Sequence, residues 1–471
     1  LAGGRMNTDA LDNSAGVDCS DHEVNIKVLL DAAITAGDMD PADRNALLAS
    51  MTDEVADLVL RDNVDQNVLM GLCRADAVQM LSVHSRLIAE LERRRGLDRE
   101  LEALPSDAEI QRRLAVTGSS GHDGALTSPE LANLMAHVKL SLKAELLAGD
   151  LPDNPSFASR LPNYFPTPLR ERFAGTIKTH PLRREIVATM LANEMVDFGG
   201  ITYAFRLAEE AGASTADAVR AFAAATEIFD LRSLWRRIRT APMPTAVRDE
   251  LELETKRTLD RASRWLLNNR PQPIAIGADI NRYSTGVREL ALSVPGWLRG
   301  YHVTDLVERS RSSIERGAPP ELTVEVFRLI HLYPLLDVLD IADIAERDGE
   351  EVAALYYALN DHLRIEWLLT AVSHLERGDR WHALARLSVR DDMYSSLRAL
   401  TLAVLSATEP DETAEEKIAY WESTNQSRLA RARAALADIF ATGTHDLATL
   451  SVAARQVRSM VSGVSTPSEA R

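Results

Sequence analysis

The residues whose types and spacing could do chemistry stand at the beginning of the chain, between Leu1 and Lys27. Asn13, Ser14, Ala15 and Gly16 lead into Ser20, Asp21, His22 and Glu23. Small residues let a backbone approach a ligand closely. A helix opening behind them presents free N–H groups and the positive end of its dipole. Ser20 and Glu23 have capping-box spacing, in which the hydroxyl accepts from the N–H three residues on and the carboxylate reaches back. A carboxylate ligand would suit that helix start. The same spacing alone also describes an ordinary helix cap, contributing about 1 kcal/mol. Asp18, Cys19, His22 and Glu23 could be taken for metal ligands. They crowd into one turn without a second ligand group at zinc spacing, so no metal is expected.

The elements that must position these residues read as helices. Val24, Val28, Leu29 and Ala32 recur at helical spacing from Asp21 to Ala36, Gly37 stops the run, and Asp40-Pro41 begins the next. Asp21 and Glu23 would then sit in the first turn, close to any bound carboxylate. A long helical stretch is predicted from Thr52 to Arg95, with a break near Asn63. The glycine-rich run Gly118–Gly124 has no lysine and cannot be a phosphate cradle. Thr127-Ser-Pro-Glu130 should open a helix with Leu131, Leu134, Met135, Val138, Leu142 and Leu146 on one face, ended by Gly149. Prolines 152, 155, 162, 166 and 168 keep the next stretch turning, with Tyr164 and Phe165 expected to fill an apolar gap. A break is predicted at Gly199-Gly200. Arg183, Arg184 and Arg232 are expected in ion pairs. Further helices are predicted at Thr245–Leu267, Ile280–Leu292, Val303–Glu315, Glu321–Ile330, Leu335–Ala345, Val352–Leu375 and Thr413–Met460. Trp297, Trp367, Trp381 and Trp421 read as packing anchors, and the polar tail from Val461 as frayed. Strand signals are almost absent.

Composition narrows the function classes. With 471 residues the chain can hold two or three domains, and 45% hydrophobic with 26% charged residues describes a folded rather than disordered polypeptide. A net charge of -17 argues against a nucleic-acid surface, which needs a basic face. Two cysteines, Cys19 and Cys73, make a disulfide framework implausible and fit a reducing cytoplasm. No apolar run has the length of a membrane span.

The run Asp12-Asn-Ser-Ala-Gly-Val-Asp-Cys-Ser-Asp-His-Glu-Val-Asn25 resembles the end of the catalytic domain in the large NAD-specific glutamate dehydrogenases of bacteria. It also matches much of the Asn-Ala-Gly-Gly-Val-x-x-Ser-x-x-Glu pattern of the smaller hexameric glutamate dehydrogenases, with Ser14-Ala15 replacing Ala-Gly. Leu126–Leu131, Leu191–Thr202 and Phe229–Trp235 are similar to the large enzymes as well. The resemblance implies a place for Asn13 near the nicotinamide, backbone approach to NAD at Gly16, and binding of the glutamate carboxylate by Ser20. It places the catalytic lysine and aspartate and the nucleotide-binding turn upstream, leaving no catalytic residue in this chain. The implied fold is predominantly α, a multi-helix C-terminal domain following the last strand, loop and helix of a Rossmann-like dehydrogenase domain. The expected division is residues 1–103 as the remnant of the catalytic domain, then helical parts 104–270 and 271–471. L-glutamate and 2-oxoglutarate are the expected ligands of a homo-oligomeric, cytoplasmic enzyme, of which this chain is a piece that is inactive alone. An all-helical oligomerisation or regulatory module without chemistry is the competing reading.

Overall fold

A computed structural model describes residues 6–116, 124–375, 379–443 and 445–461. Most of the glycine-rich run and the tail after Val461 lie outside the described residues. Among the described residues every regular element is a helix, with no strand. The chain forms two units, one of residues 1–224 with 266–277 and the other of 225–265 with 278–471.

In the first unit, α1 (Ser14–Thr35) buries His22, Ile26, Leu29, Leu30 and Ala33, a stripe at helical spacing. It packs against α2 (Thr52–Ala75). The expected stretch from Thr52 to Arg95 is two helices, and the break is not near Asn63. It falls at Asp76, where φ is -108° and ψ 5°, before α3 (Ala77–Arg95). Asn63 stays helical because its amide is used elsewhere, donating to Ser14 Oγ at 2.8 Å. Next, α4 (Ser128–Ala148) starts in the predicted capping box of Thr127 and Glu130. It packs on α2, α3 and α5 (Arg183–Glu194). A π-helical turn, Met195–Gly199, follows α5 and also packs on α2. Gly200 ends it at φ 107°, and a Cβ on Gly199 would stand 2.9 Å from Tyr203 Cγ, so both glycines are required at the predicted break. Arg183 and Arg184 pair with Asp153, as expected.

The second unit is tied together through Asp337 and Asp340 on α8 (Leu335–Ala345). Trp265 of α6 (Thr245–Asn269) donates to Asp337 Oδ1 at 2.8 Å, and Tyr283 of α7 (Ile276–Leu290) donates to Asp340 Oδ1 at 3.1 Å. Tyr356 of α9 (Gly349–His362) donates to Asp337 Oδ2 at 3.1 Å, and Arg398 of α10 (Arg380–Leu405) pairs with both carboxylates. Buried carboxylates satisfied from four other helices fix how those helices meet. Three expectations need correction. Val352–Leu375 is not one helix but breaks at Leu363-Arg364, with Arg364 at φ 54°. Residues 380–405, given no element from sequence, are the long helix α10. Trp381 is 69% exposed and anchors nothing, whereas Trp421 is buried. Arg232 pairs with Glu227. No described helix is long and apolar enough to cross a membrane.

Candidate functional site

The helix start predicted at Ser20 lies elsewhere. Thr8 caps a single turn, Asp9–Asp12, and α1 begins immediately after it at Ser14, so Ser20 is well inside a helix. Its hydroxyl donates to Gly16 O at 3.3 Å, one turn back, and Glu23 pairs with Lys27 instead of reaching back to Ser20. The Ser20–Glu23 capping box therefore does not form. Physically, a run of small and acidic residues without proline lets the helix propagate upstream once tertiary contacts hold its first turn. Asn63 supplies them, bonding Ser14 Oγ and, at 3.4 Å, Leu11 O. The positive dipole end consequently sits near Asn13–Gly16 rather than at Ser20, with the Asn13 and Gly16 N–H groups already donating to Asp9 O and Asn13 O.

What the helix does bring together is a stripe. Asn13, Gly16, Val17, Ser20, Val24 and Lys27 are all exposed and recur at the three- and four-residue spacing of one helix face. Seven residues separate Asn13 from Ser20, about 10 Å along the axis. Val17 and Val24 are 68% and 53% exposed, so the stripe is partly apolar. Nothing lies within 4 Å of where a Cβ on Gly16 would be. A glycine inside a helix costs roughly 0.5–1 kcal/mol relative to alanine, and no contact among the described residues requires it. Asn13 Nδ2 donates to Asp9 Oδ1 at 2.6 Å, which sets its side chain at the helix entry.

The opposite face of α1 carries a polar group ahead of its apolar stripe, with His22 buried and Asp18 half-buried. Asp18 and His22 meet Asp62 of α2, with one ligand-type atom from each lying within 4.8 Å of the others. His22 is 2% exposed and stacks on Tyr164, ring centroids 4.2 Å apart. Tyr164 accepts from Asn25 at 2.8 Å, so its hydroxyl belongs to a polar group, while Phe165 fills the expected apolar gap. His180 Nε2 stands 3.1 Å from Asn25 O, and its Nδ1 accepts from the Leu182 N–H, so Nε2 carries the proton. Burial, reinforced by Asp21, pushes the Asp18 carboxyl up to about 6 against the pull of Lys139. Burial, with Asp18, Asp197 and Asp65 close by, pushes Asp62 up to about 7. Lys139 of α4 is itself paired, 2.7 Å from Asp197 in the π-helical turn. The expectation of no metal rested on the lack of a second ligand group near Asp18 and His22, and the fold brings one further ligand-type side chain, Asp62, beside them. Its signal in the sequence was an acid falling in helical register between the buried Val59 and Leu69. Cys19 and Glu23 point away from this group and are exposed.

Two family models match the chain. "Glutamate dehydrogenase, C-terminal" covers residues 123–459, and "Bacterial NAD-glutamate dehydrogenase, catalytic domain" covers residues 1–73, which contain α1 and all but the last two residues of α2. A protein named NAD-specific glutamate dehydrogenase from Mycobacterium tuberculosis is 56% identical over 460 residues, 98% of this chain and 28% of that protein. Proteins of the same name from Halomonas elongata and Pseudomonas aeruginosa are each 35% identical, over 93% and 97% of this chain and 27% and 28% of theirs. The chain thus spans little more than a quarter of the length of these relatives. Matched by the C-terminal model over most of its length, and similar from end to end to NAD-specific enzymes, the chain belongs to the glutamate dehydrogenase family.

Proposed function

We infer that this chain is the part of an NAD-dependent glutamate dehydrogenase that closes one side of the active site, the whole enzyme converting L-glutamate, NAD and water to 2-oxoglutarate, ammonia and NADH. The observation that carries this reading is the exposed stripe on α1. Asn13, Gly16 and Ser20, the positions that the family resemblance marks for nicotinamide and substrate, share one outward face with Val17 and Val24. These residues fit a dinucleotide in two respects. Gly16 leaves its Cβ position open to an approaching ligand, and the first turn of α1 supplies a partial positive charge. Bound NAD would supply the hydride acceptor. Asn13 and Gly16 would position it from the helix entry, with Ser20 one and two turns further along, facing the substrate.

Ser20 can serve a carboxylate because its hydroxyl proton is spent only on Gly16 O at 3.3 Å, a long bond within its own helix. Rotation about the serine side chain turns that donor outward without disturbing the backbone ladder. Within the first unit α1 rests on α2, which in turn packs on α4, and with the catalytic lysine and aspartate assigned by the family resemblance to the part upstream, this chain alone is inactive. Self-association through the helices, cytoplasmic residence and the division at residues 103 and 270 belong to the same proposal.

Ser20→Ala in the complete enzyme tests it. Loss of a hydrogen bond to a charged group, about 1.5–3 kcal/mol, raises the KM for glutamate roughly 10- to 150-fold and leaves NAD affinity unchanged. An unaltered glutamate KM contradicts the assignment.

A further inference from the structure

We propose that Asp18, His22 and Asp62 form a divalent transition-metal site of the zinc type, clamping α1 to α2 directly behind Ser20. Three observations carry it. The carboxylates and the imidazole come from two packed helices and bring their ligand-type atoms within 4.8 Å of one another, close enough for side-chain rotation to close a shell of bonds about 2.0–2.2 Å long. His22 is buried to 2% exposure, turns a ring nitrogen into the group, and leaves Nδ1 without a hydrogen-bond partner. Asp18 Oδ2 is likewise buried without a partner. Buried polar atoms are rarely left in this condition, and a cation is one of the few occupants that satisfies an imidazole nitrogen and a carboxylate oxygen together.

Charge points the same way. Asp18 and Asp62, with Asp21, Asp65 and Asp197 near them, face one ammonium, Lys139, which is already engaged with Asp197. A cation offsets this excess of acidic groups. The ligand set chooses the kind of ion: one imidazole and two carboxylates suit Zn²⁺ or Co²⁺, whereas Ca²⁺ prefers six to eight oxygens and is excluded by the histidine and the small number of donors. Water would complete the shell. Since Asp18 and His22 bracket Ser20 in sequence, a bound ion would set the rotation of α1 about its own axis and with it the direction of the exposed stripe.

The test uses the 471-residue chain freed of metal with a chelator. Zn²⁺ is titrated calorimetrically near neutral pH, Co²⁺ by its visible d–d absorption, and Ca²⁺ serves as comparator. The site predicts one Zn²⁺ per chain, Co²⁺ bands that Zn²⁺ abolishes, and no response to Ca²⁺. Asp62→Asn and Asp18→Asn should each weaken Zn²⁺ at least about tenfold, while Cys19→Ser leaves it unchanged. Folding is checked independently. In the absence of metal, Asp62→Asn removes a buried like charge and should melt no lower than the parent, yet Zn²⁺ should raise the Tm of the parent alone. Asp62→Glu, which keeps a carboxylate, should retain Zn²⁺ binding in part. Absence of Zn²⁺ heat and Co²⁺ bands, binding that Asp62→Asn leaves undiminished, or binding that disappears with Cys19→Ser overturns the proposal.

Discussion

Gly16→Ala should act in opposite directions on this chain and on the complete enzyme. Gly16 lies in the first turn of α1, is exposed, and has nothing within 4 Å of its Cβ position. Alanine therefore meets no obstacle here and reduces the conformational entropy lost on forming the helix. The expected gain is about 0.5–1 kcal/mol, read as a higher urea midpoint with an unchanged m-value. In the complete enzyme the same methyl group would stand where the backbone must approach NAD. Intruding methyl groups in close-packed sites cost about 1–3 kcal/mol, so the KM for NAD should rise roughly 5- to 150-fold while the protein itself becomes no less stable. The comparison needs only denaturation curves and initial rates. Destabilisation of the chain, or an NAD KM that does not move, would refute the idea that Gly16 is kept for a ligand outside this chain.

Other consequences follow from buried charge. His84 is 3% exposed, and burial alone holds its imidazole down at about 4 from an ordinary 6.5. The folded state thus binds fewer protons than the unfolded state between those values. Its contribution is fully present above 6.5 and is lost as pH falls, on the order of 3 kcal/mol by pH 4. His84→Leu should flatten the stability–pH curve across that window, and an unchanged slope would count against it. Arg239 and Glu252 form a two-pronged pair, both bonds 2.9 Å, with the Glu252 side chain 2% exposed. Glu252→Gln should lower stability by about 3–5 kcal/mol because it removes the negative charge opposite a largely buried guanidinium. A thermal midpoint that is unaffected would show the pair to be dispensable.

How much of this was legible depended on whether the signal was local. The Thr127–Glu130 box, the stop at Gly37 and the break at Gly199-Gly200 could be read because cap hydroxyls and glycine geometry act within a few residues. Ser20 and Glu23 carry the same local pattern and were misread for the same reason. What extends α1 upstream is Asn63, some fifty positions away, and no local rule contains it. Asp62 was invisible as a partner of Asp18 and His22 on the same grounds, since only the packing of α1 on α2 joins them. The outward face, by contrast, was implicit in the spacing of Asn13, Gly16 and Ser20 once a helix was granted. Helix α10 was missed although Val389, Met393, Leu397, Leu400 and Val404 keep helical register. Its start carried a local signal too, Asp379, whose carboxylate caps the helix by accepting from the His382 N–H.

The central claim is most directly tested by a structure of the complete enzyme with glutamate and NAD bound. Ser20 Oγ should leave Gly16 O and lie within hydrogen-bonding distance, about 3 Å, of a glutamate carboxylate oxygen, with Asn13 and Gly16 against the dinucleotide. A substrate carboxylate bound elsewhere, with Ser20 still bonded to its own helix, would contradict the account.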